Sequence, residues 1–153
     1  MKSNSWDKCL FPLFLSSLSS CTLASYSDEE LNSELNNFAI RAIARFRFPR
    51  VSLKWETQAN GVNCFIDSLV DIKEIDVLVS WMKVFWLEYQ LSKERNYENL
   101  YADKDVKAFS SGNLIASIGK ALAEMTAAAR KTEEFYYRAD NNGNALIEGV
   151  NDD

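Results

Sequence analysis

The stretch that most constrains this chain covers residues 70–91, VDIKEIDVLVSWMKVFWLEYQL. Asp71 followed three residues later by Glu74 has the form of a capping box, and Val70 and Ile75 stand where a hydrophobic staple requires them. Beyond the cap, Ile75, Val77, Leu78, Val79, Trp81, Met82, Val84, Phe85, Trp86, Leu87, Tyr89 and Leu91 point in nearly every direction around a helix. The one coherent polar line is Asp76, Ser80, Lys83 and Gln90, interrupted by Leu87. Such a helix must be covered on most sides. With Asp76, Lys83 and Glu88 inside it, it makes a poor membrane span. It has to be covered by other protein, either the rest of this chain or a neighbour.

The remaining chain must therefore supply the cover. Ser27 and Glu30 form a second capping box, with Tyr26 and Leu31 as its staple, and Asp28, Glu29 and Glu30 suit a helix's positive end. Leu31, Leu35, Phe38, Ala42 and Phe46 follow at helical spacing, and Pro49 ends the run. Val51, Leu53 and Trp55, then Val62, Cys64 and Ile66, alternate with polar residues around Asn60-Gly61, which predicts a short β-hairpin at about residues 51–66. A last helix is predicted from about Gly112 to Arg138, with Leu114, Ile115, Ile118, Leu122, Met125, Ala129, Thr132 and Tyr136 on its apolar face. At roughly 40 Å it outruns a compact domain of this size. It either pairs along the central helix or projects toward a neighbouring subunit. The expected fold is mainly α (α+β), with three or four helices and one hairpin in a single domain over residues 26–138.

Residues 1–25, MKSNSWDKCLFPLFLSSLSSCTLAS, admit two readings. Lys2 and Lys8 before an apolar run, with Leu18-Ser19-Ser20-Cys21 resembling a lipobox, suit an export signal and a lipid-bearing Cys21 in a bacterial cell envelope. Asp7, Trp6 and Pro12 fit that pattern badly. Alternatively Trp6, Leu10, Leu13, Phe14 and Leu18 pack on the domain or a neighbour, with Pro12 in a helix's first turn or between two short pieces. Residues 139–153 read as a flexible acidic tail. Asp140, Asn142 and Asn144 imitate the start of a calcium loop, but Ala145 and Asn151 replace the glycine and glutamate that such a loop needs.

Chemistry is sparse. The chain has no histidine, five glycines and three scattered cysteines, so it offers neither the usual general base nor a zinc or disulfide framework. No phosphate-cradling loop or nucleophile elbow is present. Cys64 is expected to be a small core residue, and Asp103 and Asp105 around Lys104 a solvated turn. No catalytic residue, metal ligand or cofactor is assigned. A net charge of −5 gives no argument for nucleic-acid recognition, yet the charge is sorted. Asp28, Glu29, Glu30 and Glu34 precede Arg41, Arg45, Arg47, Arg50 and Lys54, which run without an intervening acid. The arginines suit either a helix's negative end or an acidic partner. Trp81, Phe85, Trp86 and Tyr89 divide between core and subunit interface, and Tyr97 and Tyr101 are anchors or contacts beyond them.

Several phrases in order add to this reading. They are Tyr26-Ser27-Asp28-Glu29-Glu30-Leu31, Ala44-Arg45-Phe46, Glu74-Ile75-Asp76-Val77-Leu78, Trp86-Leu87-Glu88-Tyr89-Gln90, and Tyr101-Ala102-Asp103-Lys104-Asp105-Val106-Lys107-Ala108-Phe109-Ser110. Over residues 26–138 the chain resembles small structural proteins from the morphogenesis modules of tailed bacteriophages and prophages. That resemblance implies a non-enzymatic neck, head–tail connector or tail component, assembled as a homo-oligomer with other virion proteins. It would act in the virion, or in the host cytoplasm during assembly. No individual functional residue follows from it.

Overall fold

The central helix of the fold, α4, runs Ile72–Leu100, and three other helices lie against it. In a computed structural model, residues 4–18, 27–100 and 108–139 are described; for residues 94–100, 108–112 and 114 the backbone alone is described. The elements preceding α4 are α1 (Trp6–Cys9), α2 (Phe11–Ser16), α3 (Asp28–Arg45), β1 (Trp55–Thr57) and β2 (Asn63–Phe65), and α5 (Ala108–Arg138) follows it. The protein is mainly helical with one two-stranded antiparallel hairpin.

Local chemistry builds both helix starts, with the full capping box at α3 and its backbone-to-Glu74 half at α4. Glu30 N–H donates to Ser27 Oγ while Ser27 N–H donates to Glu30 Oε2, completing the reciprocal pair on α3. At α4 the Asp71 N–H donates to Glu74 Oε2 at 2.9 Å, and Val70 and Ile75 are both buried beside it. α3 ends at Arg45, with Phe46 turning to extended backbone ahead of Pro49.

α4 continues to Leu100, past residues 92–96 where the sequence predicts that it fades, and α5 begins at Ala108 instead of Gly112. The extension follows from composition. Residues 92–100, SKERNYENL, contain no proline or glycine, so a helix already nucleated by packing adds turns cheaply. α5, with 31 residues, spans roughly 46 Å and pairs with α4 in the most extensive contact of the fold.

Residues 6–18 belong to the core. Trp6, Leu10 and Phe14 are fully buried and Leu18 nearly so, a stripe at four-residue spacing; Leu13, expected among them, is partly exposed. Pro12 lies in the first turn of α2, and the helical path breaks at Leu10 because Pro12 has no N–H for the preceding turn. Trp6 packs on Trp55 and Phe65, with ring centroids 5.0 and 5.6 Å away. α2 reaches α4, so α2, not the hairpin, is the third main cover of the central helix beside α3 and α5.

The hairpin pairs Trp55 with Phe65, Glu56 with Cys64 and Thr57 with Asn63, around Gly61 at φ 80°. The expected alternation holds for Cys64 but fails at its neighbours. Phe65 is buried and Ile66 is 59 % exposed. The outer edge of β2 is taken by the N-terminal segment: Ser5 bridges Cys64, and Phe65 N–H donates to the Asn4 carbonyl. That contact places α1 over Phe65, whereas Ile66 turns away from it. Asn63 also donates to Asn36 Oδ1 at 2.8 Å, fixing the hairpin to α3.

Candidate functional site

Where the four expected arginines go decides what surface is left for a partner. α3 and α4 run antiparallel, and each four-residue step on one matches a step on the other. Arg41 lies 4.2 Å over the Phe85 ring and pairs with Glu88 at 3.0 Å. One turn on, Arg45 lies 4.4 Å over Trp81. Phe38 meets Tyr89 at the far end of this seam, 6.0 Å between ring centroids. Trp81 and Phe85 are buried and stacked on each other, so both belong to the core and not to an outer contact. Trp86 and Tyr89 are half-buried at the core's margin. Tyr101 and the side chain of Tyr97 lie outside the described residues, as do Cys21, Tyr26, the Asp103–Asp105 turn, the calcium-loop mimic and the tail beyond Ala139.

Arg50 is used differently again. Its guanidinium donates to the carbonyls of Tyr136, Tyr137 and Ala139, satisfying the exposed end of α5, and it lies 5.0 Å over the Tyr136 ring. The helix end it complements is thus α5, not the nearby α3. Around it, two parallel relays bind the 46–50 loop to the helix pair. In one, Arg50 N–H donates to Tyr136 Oη at 2.8 Å, and Tyr136 O–H donates to Glu74 Oε1 at 2.7 Å. In the other, Phe48 N–H donates to Tyr137 Oη at 3.3 Å, and Tyr137 O–H donates to Glu133 Oε1 at 2.7 Å. Trp81 Nε1–H closes the second relay on Glu133 Oε2 at 3.3 Å.

Glu74 and Glu133 are both buried, yet each carboxylate has a donor on both oxygens. Burial pushes both tyrosines up to about 12, and the facing carboxylates add to the effect. These groups are occupied as hydrogen-bond partners, which suits a scaffold. The sequence reading missed this network: Glu74 was a helix cap and Tyr136 an apolar-face residue, and both of those roles are real. No local pattern could show that the two meet.

The cysteines are equally quiet. Burial pushes the Cys9 thiol up to about 11 and also raises Cys64, which holds both as neutral thiols at ordinary pH. Among the described residues no group of His, Cys, Asp or Glu is placed to hold a metal ion. None of the described helices is long and apolar enough to cross a membrane. A small cleft of ≈ 110 Å³ between the start of α4 and the end of α5 holds Lys73, Asp76 and Phe135, and burial raises the Asp76 carboxyl there.

Besides a groove of ≈ 540 Å³ along Ile40, Arg41 and Tyr89, an open surface lies where α3 gives way to the hairpin. A shallow groove of ≈ 580 Å³ is floored by Ile43 of α3, Phe46 at its end, Pro49 and Leu53 of the loop, Trp55 of β1 and Ile66 past β2. Arg47 and Lys54 stand along it, both exposed, and neither has an acidic partner among the described residues. Beyond Ile66 the exposed apolar side chains continue with Leu69 (71 %) and Ile72, and Phe48 (72 %) stands on the adjoining loop. Isolated exposed apolar residues are ordinary; the groove differs because its apolar residues share one lining. Of the four arginines expected to face a partner, Arg47 alone lies along this groove.

Comparison with known proteins adds no identification: no family model, no curated protein and no solved structure matches the chain.

Proposed function

We propose that this chain is a non-enzymatic assembly protein that works by self-association, a neck, head–tail connector or tail component of a tailed-phage particle. The observation that carries the self-association reading is the apolar groove edged by Arg47 and Lys54, with Ile66 exposed on it. Closed rings are built from head-to-tail contacts, in which such a groove receives a different face of the next subunit. The placement within a phage particle rests on the ordered phrases in residues 26–138. Other virion proteins are the expected further partners, and the virion or the host cytoplasm during assembly the expected location.

The buried polar groups support a scaffold role, because Glu74, Glu133, Tyr136 and Tyr137 spend their hydrogen bonds on joining α4, α5 and the 46–50 loop. The alternative of an exported lipoprotein acylated at Cys21 fits the packing poorly. Cleavage before Cys21 would remove Trp6, Leu10 and Phe14 from the core. Each such side chain is worth about 1.5–3 kcal/mol when buried, against a typical total stability of about 5–15 kcal/mol.

Sedimentation velocity over a wide concentration range tests the reading, with electron microscopy of the same samples. Discrete oligomers or rings are expected. A protein that stays strictly monomeric at high concentration and never copurifies with phage particles would sink it. Intact-mass measurement of the expressed protein tests the alternative, for which a diacylated Cys21 is the required result.

A further inference from the structure

We propose that the groove is occupied in the free protomer by the chain's own C-terminal segment, residues 144–153, which a second subunit must displace. Charge is the first argument. Residues 140–153, DNNGNALIEGVNDD, carry Asp140, Glu148, Asp152 and Asp153 and no lysine or arginine. The groove offers Arg47 and Lys54, which have no ion-pair partner among the described residues. Apolar character matches as well: Leu146, Ile147 and Val150 alternate with the acids, and the groove floor includes Pro49, Trp55 and Ile66. Acids beside apolar anchors are what a cation-edged apolar groove selects.

Position is the independent argument. The described residues end at Ala139, whose carbonyl accepts from the Arg50 guanidinium. Arg50 is three residues from Arg47, a span of at most about 11 Å. The seven residues from Asp140 to Leu146 reach up to roughly 23 Å, enough for the apolar part of the segment to arrive at the Arg47 end of the groove. A tether this short sets an effective concentration on the order of millimolar, enough for a weak contact to be populated. The same concentration competes with a second copy of the chain, and assembly then begins only when subunits are abundant. That competition rests on the self-association reading; the docking itself does not.

The test uses the full chain with a benzophenone photo-crosslinking side chain at Ile66, which is exposed and whose replacement leaves the core untouched. After irradiation of dilute protein, mass spectrometry should join position 66 to a peptide from residues 140–153 at the mass of a single chain. The double variant Arg47→Glu, Lys54→Glu should lower that yield roughly fivefold, and raised salt should lower it too. Crosslinks to any other segment, or to the C-terminal segment only at the mass of two chains, overturn the proposal, as does no crosslink at all. Association of a chain ending at Ala139 is measured separately. If the crosslink forms but neither chain associates, the docking stands and the self-association reading fails. If both associate at the same concentration and no crosslink forms, the docking fails and self-association stands.

Discussion

The arginines of residues 41–50 are alike in the sequence and divide into two populations in the fold. Arg41, Arg45 and Arg50 are committed: two lie on aromatic rings of α4 and one completes the end of α5. Arg47, with Lys54, remains along an apolar groove. The difference teaches that a run of like charge is not one feature. The helical period assigns Arg41 and Arg45 to the α4-facing side, because they are four apart and α4 offers Phe85 and Trp81 four apart. Arg47 comes after Phe46, where the chain has left the helix.

Four changes would break or sharpen that division. The largest effect belongs to Trp81→Ala, which removes the ring beneath Arg45 and the donor to Glu133 Oε2. A loss of about 3–5 kcal/mol is expected, read by chemical denaturation. A loss below about 1 kcal/mol would show the inner seam to be loosely packed. Tyr136→Phe comes next. It strands Glu74 Oε1 and the Arg50 N–H, so about 1–3 kcal/mol should be lost with the fold retained.

The third change is in pH. Tyr136 and Tyr137 are held at about 12 in the fold against 10.0 when free of it, so the fold favours their neutral forms. Their contribution is therefore complete below about pH 10 and is lost as pH rises from there through 12. Denaturation midpoints should fall across that window in the natural chain and fall less in Tyr136→Phe. The smallest stability effect is that of Arg47→Glu, within about 0.5 kcal/mol, since the side chain is exposed and unpaired among the described residues. The same variant should nevertheless weaken association in sedimentation, and a destabilisation above 1 kcal/mol would place Arg47 with the committed arginines.

What could be read beforehand was whatever short-range chemistry decides. The Ser27–Glu30 and Asp71–Glu74 caps and the glycine turn at Gly61 are set within a few residues and came through as expected. Helix ends with no breaker did not, as residues 92–100 show. The face of Phe65 and Ile66 was misread because the deciding contact comes from Asn4 and Ser5, about sixty residues away. The candidate surface was legible only in part. Arg47 and Lys54 belonged to a visible cationic run, but its separation from Arg50 depends on Tyr136, more than eighty residues later. The apolar floor from Ile43 to Ile66 assembles from three elements and has no sequence signature of its own.

The strand-edge contact of residues 4 and 5 also bears on how the chain is made. Asn4 and Trp6 leave the ribosome well before their partners Phe65 and Trp55, and α2 above them rests on α4, later still. At about 5–20 residues per second, the apolar stripe from Trp6 to Leu18 waits several seconds before any of those surfaces exists. This stripe is thus made before the surfaces that seat it. During that interval the buried face of Trp6, Leu10 and Phe14 has no partner to cover it.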